Sequence, residues 1–142
     1  MALNILVVDD SAVMRAMVTK TLKMCGLPIG ELFHAKEGAE ALEQLEKEWI
    51  DLALIDINMP GMNGMELISR IRARQDIADL LLVVISTESS QTRIESLKEM
   101  GVGFVHKPFT PETVRAQIMN ITGVSNVESD EESAFQDSGS DF

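Results

Sequence analysis

The stretch Leu52-Ala53-Leu54-Ile55-Asp56 runs directly into Ile57-Asn58-Met59-Pro60-Gly61-Met62-Asn63-Gly64. A short apolar run bounded by turn residues predicts a strand that is buried on both faces. Asp56 is therefore expected at the carboxyl end of a central strand, where open α/β sheets collect their ligands. Pro60 and Gly61 prevent the chain from continuing as a helix, so Asp56 stands at the mouth of a loop. An isolated aspartate at this position would be explained as a turn-forming residue. Whether Asp56 has a functional role depends on the residues elsewhere in the chain.

The remainder of the chain alternates between strand-like and helix-like patterns. Further strands are predicted over residues 3–8, 31–35, 80–85 and 102–106, and helices over residues 11–25, 37–48, 64–74, 90–100 and 110–121. Helical spacing places Met17 and Trp49 on inner helix faces, and His34 and His106 are predicted to be half-buried strand residues. Continuous apolar strands that alternate with helices predict an α/β fold, a parallel sheet covered on both faces and linked by right-handed crossovers.

Composition limits the class of function. The net charge of −11, from 23 acids and 12 bases among 142 residues, argues against nucleic acid and anionic membranes as partners. We expect no signal peptide, and no apolar segment of the sequence is long enough to span a membrane. Cys25, the single cysteine, cannot form an internal disulfide, and we expect a small core side chain. These features predict a cytoplasmic protein.

The character of the sequence changes after Gly123. Residues 125–142 contain six acids, five serines and no Lys or Arg. Such a segment cannot bury enough apolar surface to offset its ordering entropy, so we expect a domain over residues 1–124 and a disordered acidic, serine-rich tail over residues 125–142. Two roles are open for the tail: a solvated segment that aids solubility, or one in which Glu128 to Glu132 competes for a basic patch on the domain or its target.

Polar side chains follow four of the predicted strands. Asp9 and Asp10 follow the first, Asp56 ends the third, and Ser86 and Lys107 follow the fourth and fifth. Because loops after parallel strands open on one edge, we expect these groups to converge. Three close carboxylates raise each other's pKa unless a cation joins them, and such oxygen ligands suit Mg²⁺. A phosphoryl group on Asp56 would satisfy both the metal and the Lys107 ammonium.

Taken singly, these residues have simpler explanations, namely a favourable helix start, a loop hydroxyl and a solvated lysine. Together, Asp9-Asp10, the stretch from Asp56 to Gly64, Ser86-Thr87 and Lys107-Pro108-Phe109 resemble the signature of response-regulator receiver domains, and single-domain chemotaxis regulators in particular. The resemblance covers residues 3–122. It implies a doubly wound, flavodoxin-like sheet of five parallel strands in the order 2-1-3-4-5.

The resemblance also implies a role for each residue of the signature. Asp56 would be the phosphoacceptor for a sensor kinase phosphohistidine, and Lys107 would bind a phosphoryl oxygen, aimed by a cis peptide before Pro108. Asp10, Asp56 and the backbone carbonyl of Asn58 would hold Mg²⁺, with Asp9 acting through water. Ser86 and Phe104 would be the switch residues. Asn58 and Glu88 would tune the rate of hydrolysis of the phosphorylated aspartate. Output would be altered affinity for a target protein that binds the last two helices and the fifth strand of a monomer.

Three departures from the family pattern are visible. The interval from Ser86 to Lys107 is one residue shorter than in the common chemotaxis pattern, which makes Thr87 the competing switch candidate. Phe104 stands where tyrosine is more familiar, and the acidic tail lies outside the pattern. Alternatives to a chemotaxis role are a phosphorelay intermediate and a phosphate sink. A phosphohydrolase like the haloacid dehalogenases is disfavoured, because Asn58 stands where such enzymes need an acid and no cap domain is present.

Overall fold

Five strands and five helices alternate along the chain. The computed structural model describes residues 2–87 and 89–123. The elements are β1 (Leu3–Val8), α1 (Ala12–Met24), β2 (Ile29–Ala35), α2 (Gly38–Lys47), β3 (Leu52–Ile55), α3 (Gly64–Ala73), β4 (Leu81–Ser86), α4 (Gln91–Glu99), β5 (Gly103–His106) and α5 (Pro111–Thr122). All paired strands are parallel, in the order β2-β1-β3-β4-β5. The predicted fold class and strand order are confirmed.

The apolar strands divide their side chains between two buried clusters. Alternate residues of β1, β3 and β4 enter opposite faces of the sheet, so that Ile55 lies in one cluster and Leu54 in the other. The first cluster is closed by α2, α3 and α4, and the second by α1 and α5. Burial on both faces explains why these strands are apolar at every position except Asn4 and Ser86.

Local sequence sets where most of the helices begin. Ser11, Asn63, Ser90 and Thr110 are N-caps, each accepting a hydrogen bond from a backbone N–H in the first turn of α1, α3, α4 and α5. Helix α5 also has proline in its first turn and ends at Gly123, whose φ of 78° is in the left-handed region. Helices that begin next to the carboxyl ends of the strands direct their N-termini to the edge of the sheet where the site is expected.

Four predicted side-chain placements are wrong. Trp49 is 79% exposed, because α2 ends at Lys47 and the Trp49 indole Nε1 instead donates to Asp51 Oδ1 at 3.2 Å. Met17 is 50% exposed, since Val18, Leu22 and Cys25 already fill the space between α1 and the sheet. His34 and His106 are both exposed rather than half-buried, because β2 and β5 are the two edge strands of the sheet.

Two predictions fall on parts of the chain outside the described residues. Glu88 lies in the gap between β4 and α4, and the acidic tail begins within the segment 124–142. The division of the chain into residues 1–124 and 125–142 therefore stays a prediction.

Candidate functional site

The strand register brings the predicted site residues to one edge of the sheet. Val8 of β1 pairs with Ile55 of β3, and the Asp56 N–H donates to the Val8 carbonyl at 3.0 Å. On the other side of β3, Ile55 pairs with Val84. The first residues beyond β1 and β3 are thus held side by side by the continuing backbone ladder.

Three carboxylates form a compact cluster at this edge. One carboxylate oxygen from each of Asp9, Asp10 and Asp56 lies within 4.8 Å of the other two. Asp9 and Asp56 are buried, with 5% and 6% exposure, whereas Asp10 is exposed. The cluster therefore opens to solvent on the Asp10 side, and the sequence-based expectation that the three acids converge is confirmed.

A single lysine reaches the two buried carboxylates. Lys107 Nζ lies 3.5 Å from Asp56 Oδ1 and 3.6 Å from Asp9 Oδ2. Its backbone N–H donates to the Ser86 carbonyl at 2.9 Å, which ties it to the end of β4, and its peptide bond to Pro108 is cis, as the resemblance implied. Lys107 thus places one ammonium against two buried carboxylates.

The ionised form of Asp56 remains disfavoured despite the contact with Lys107. Burial raises the pKa of the Asp56 carboxyl above its usual value, the Asp9 carboxylate raises it further, and Lys107 together with the Asn58 N–H opposes them. Desolvation is the largest of these effects, since it penalises the charged form. A divalent cation next to the carboxylate would remove this penalty.

Asp9 is oriented by contacts that the sequence interpretation missed. The Ser11 N–H donates to Asp9 Oδ1 at 2.9 Å, and Arg15 Nη1 donates to the Asp9 carbonyl at 2.7 Å. Arg15 lies one turn into α1, six positions after Asp9. This spacing is the sequence feature from which the contact could have been predicted. Arg15 acts as a positioning residue for the cluster.

Gly64 allows α3 to approach the strand end that carries Asp56. A Cβ atom on Gly64 would lie 2.5 Å from the Asp56 carbonyl oxygen and 2.6 Å from the Ile57 Cα. The Gly64 N–H donates to the Ile57 carbonyl at 2.8 Å, closing the loop. The glycine at the end of the stretch from Asp56 to Gly64 is therefore required by backbone contact.

The residues predicted to act as switch and tuning positions have different surroundings. Ser86 is fully buried at the end of β4. The Asn58 N–H donates to Asp56 Oδ1 at 3.4 Å, which places Asn58 at the site. Phe104 is half-buried, and its ring meets that of His106 edge-on with centroids 4.9 Å apart. The roles of these residues, and of Glu88, stay predictions.

Comparison with known proteins identifies the family. The model of the response regulator receiver domain matches residues 5–119 of this chain. The chain belongs to this family. The match contains β2 to β5, all of β1 except its first two residues, and all the predicted site residues, so the resemblance inferred from the sequence is confirmed.

Similar proteins support a chemotaxis-like member of the family. A chemotaxis protein CheY homolog of Campylobacter jejuni is 32% identical over 128 residues, which cover 89% of this chain and 97% of that protein. Chemotaxis protein CheY-3 of Vibrio cholerae is 34% identical over 120 residues, covering 84% and 91% of the two chains. The structure of Vibrio cholerae chemotaxis protein CheY4 superposes with a TM-score of 0.75 at 32% identity, covering 85% of this chain and 99% of that one.

These findings make the chain a chemotaxis-like response regulator of a two-component system. Regulators of this type carry signals between kinases and downstream targets, and the aspartate cluster is compatible with a metal ion. Among the described helices, none combines the length and apolar character needed to cross a membrane.

Proposed function

We propose that Asp56 accepts a phosphoryl group from a sensor kinase or phosphotransfer protein. The observation that supports this most directly is the position of the Asp56 carboxylate, which lies at the open edge of the sheet, 3.5 Å from the Lys107 ammonium and within 4.8 Å of two other carboxylates. An anionic phosphoryl group needs cationic partners on both sides, and Lys107 supplies one of them.

The transfer is an in-line displacement at phosphorus. A carboxylate oxygen of Asp56 forms a bond to the phosphorus of a phosphohistidine while the bond from phosphorus to nitrogen breaks. The imidazole leaves with the electron pair and takes up a proton, and Asp56 becomes an acyl phosphate. Lys107 then exchanges its contact with the Asp56 carboxylate for a phosphoryl oxygen.

Mg²⁺ fits the donor set of the cluster. Hard oxygen ligands, one or two carboxylates and room for waters are what this ion prefers, and Asp10 leaves the cluster open to solvent. Asp10, Asp56 and the carbonyl of Asn58 would hold the ion, with Asp9 acting through water. When bound, Mg²⁺ supplies positive charge that offsets carboxylate repulsion and stabilises the transferring phosphoryl oxygens.

Phosphorylation would change the preferred arrangement of one loop and one edge strand. Ser86 would turn its hydroxyl to the phosphoryl group, and Phe104 would move into the space that this vacates. Output would be altered affinity for a target protein at α4, β5 and α5, without nucleic acid or membrane as a partner. The chain would act as a cytoplasmic monomer that catalyses only its own phosphorylation and dephosphorylation. The family assignment favours this over a phosphohydrolase.

Acetyl phosphate labelling tests the proposal. We expect mass spectra of protein treated with acetyl phosphate and Mg²⁺ to show one phosphoryl adduct on the peptide that contains Asp56, and no adduct in Asp56→Asn. Glu43→Gln on the exposed face of α2 is the matched acid-to-amide control and should label normally. A normal adduct in Asp56→Asn would contradict the assignment of the phosphoacceptor.

The lysine and the tuning residues require separate measurements. Lys107→Ala should still label with Asp56 as acceptor, but it should lose the gain in target affinity produced by beryllofluoride, since the phosphoryl oxygen then lacks its ammonium partner. We expect rapid loss of radiolabel from the phosphoprotein, because Asn58 and Glu88 resemble the short-lived chemotaxis pattern. A half-life of hours would contradict this expectation.

A further inference from the structure

The outer face of α1 carries exposed apolar side chains. Val13, Met17 and Met24 are 71%, 50% and 62% exposed, and their spacing along the helix puts them on one side of it. The outer face formed by Val13, Met17, Lys20, Lys23 and Met24 is called the α1 surface below. Large exposed apolar side chains grouped on one face are typical of a surface that contacts another segment.

A groove borders the α1 surface on the side of the edge strand β2. It has a volume of about 510 Å³ and mostly apolar walls, and it is lined by Ala16, Thr19, Lys20, Lys23, Met24 and His34. His34 Nε2 lies 3.5 Å from the Thr19 hydroxyl, which closes the floor of the groove between α1 and β2. A single aromatic side chain with a few flanking residues would fit into this space.

The α1 surface is basic in a chain that is otherwise acidic. Helix α1 contains Arg15, Lys20 and Lys23 and no Asp or Glu, while the whole chain has a net charge of −11. Lys20 and Lys23 are exposed, and within residues 2–87 and 89–123 no carboxylate forms an ion pair with either lysine. The face therefore matches an occupant that combines negative charge with an apolar anchor.

The segment that follows α5 has this composition. Residues 128–135 read Glu-Ser-Asp-Glu-Glu-Ser-Ala-Phe, which places four acids before an alanine and a phenylalanine. This segment contains no basic residue that would repel Lys20 and Lys23. Charge and hydropathy are thus complementary between two parts of the same chain.

The segment also begins close enough to reach α1. Helix α5 packs against α1, and Arg115 of α5 lines a small cavity together with Met24 and Cys25. The part of α5 after Arg115 adds about 11 Å to the separation, at 1.5 Å per residue. A flexible coil of the length of residues 124–135 spans about 19 Å on average, so the α1 surface lies within reach of Phe135.

We propose that residues Glu128–Phe135 dock on the α1 surface of the same molecule. The acids of this segment lie against Lys20 and Lys23, and Phe135 enters the groove between Met24 and His34. The docked segment covers the exposed methionines of α1 and competes with any protein that approaches this side of the domain. This contact is independent of phosphoryl chemistry at Asp56.

Paramagnetic broadening in the full chain tests the contact. A spin label is attached to Ser138→Cys in a Cys25→Ala background, so that only one cysteine can be labelled. Cys25 itself is only 4% exposed in the wild-type protein. We expect loss of amide peak intensity in the second half of α1 and at His34, with none around Trp49, which lies beyond α2. Equal intensity loss over the whole domain, or none at all, would overturn the proposal.

Charge reversal provides the specific control. Lys20→Glu combined with Lys23→Glu should abolish the intensity loss on α1, whereas Lys47→Glu, an equally exposed lysine on α2, should leave it unchanged. Replacing Glu128, Asp130 and Glu131 by lysine in the α1 double variant should restore the broadening. Failure of this charge swap, with α1 still helical by its chemical shifts, would refute the ionic part of the proposal.

The source of the docking segment is tested by mixing two samples. Isotope-labelled chain without a spin label is combined with spin-labelled chain at natural isotope abundance. Intramolecular docking predicts no loss of peak intensity in the mixture. In protein that carries both labels on the same chain, it predicts an intensity loss that does not change on dilution. Broadening of α1 in the mixture would assign the surface to the segment of a second copy and would overturn docking within one molecule.

Discussion

Replacing Asp56 by asparagine should stabilise the protein when no divalent cation is bound. Two carboxylates lie within 4.8 Å of the Asp56 carboxylate, and at an effective dielectric constant of about 20 a like-charged pair at that outer limit costs about 3.5 kcal/mol. The contact of Asp56 with Lys107 at 3.5 Å returns about 4.7 kcal/mol, which offsets the buried Asp9, while solvent screens the exposed Asp10. The ionised residue is destabilised on balance because burial, the largest effect on its pKa, adds to the repulsion. We expect Asp56→Asn to raise the free energy of unfolding by about 1–3 kcal/mol, typical for a buried charge network.

The effect should depend on pH in one direction. The folded state raises the pKa of Asp56 above its usual value of 3.8, so the folded protein holds this proton more tightly than the unfolded chain does. The contribution to stability is complete below pH 3.8 and is lost as the pH rises through the folded-state pKa. The gain from Asp56→Asn should therefore be small in acid and full at neutral pH.

Urea unfolding with EDTA or Mg²⁺ provides the assay. In EDTA at neutral pH, Asp56→Asn should unfold at higher urea than the wild type, and Glu43→Gln should match the wild type within about 0.5 kcal/mol. Saturating Mg²⁺ should stabilise the wild type more than the variant, because the ion loses one anionic ligand. An Asp56→Asn protein that is less stable than the wild type in EDTA would refute the argument that the buried charge of Asp56 destabilises the folded state.

Three further predictions concern the surroundings of the site. Gly64→Ala should cost more than about 2 kcal/mol of stability through backbone contact, whereas Gly61→Ala, with φ of 72° and open space around it, should cost only about 1–2 kcal/mol in chemical denaturation. Arg15→Met should weaken Mg²⁺ binding by about tenfold in a titration followed by calorimetry, because the backbone of a metal-cluster aspartate loses its anchor, and Lys20→Met should bind Mg²⁺ normally. Burial and Arg15 lower the pKa of His34 below 6.5, so wild-type stability should fall as the pH drops below 6.5, and His34→Gln should flatten that dependence; an unchanged pH profile would contradict the assignment.

Strand composition was enough to predict the layered fold and the meeting of the site residues. The runs that became β1, β3 and β4 are apolar at every position except Asn4 and Ser86, which only a sheet covered on both faces explains. Parallel strands open their following loops on the same edge, so Asp9, Asp56 and Lys107 had to meet once the strands were recognised. Their ion-pair distances of 3.5 and 3.6 Å confirm this inference.

The buried faces of the helices were predicted less well. Periodicity indicates which side chains form an apolar face, but it does not indicate which of them a neighbouring element buries. Trp49 matched the spacing of α2, but the helix ends before it and no neighbouring element covers it within the described residues. Met17 is apolar and still exposed, because α5 and the sheet leave room for only one stripe of α1. Coverage depends on the neighbours that an element receives in the folded chain.

The sequence by itself determined the order of strands and helices, the helix caps and the chemical type of the site, because these depend on residue type and on contacts between near neighbours. The tertiary structure decided which groups support that site and which apolar side chains stay exposed. Arg15 on the Asp9 carbonyl, Gly64 against the Asp56 backbone and the uncovered face of α1 all result from packing between separate elements. Such contacts join residues that have no periodic relation in the sequence, and only the folded arrangement specifies them.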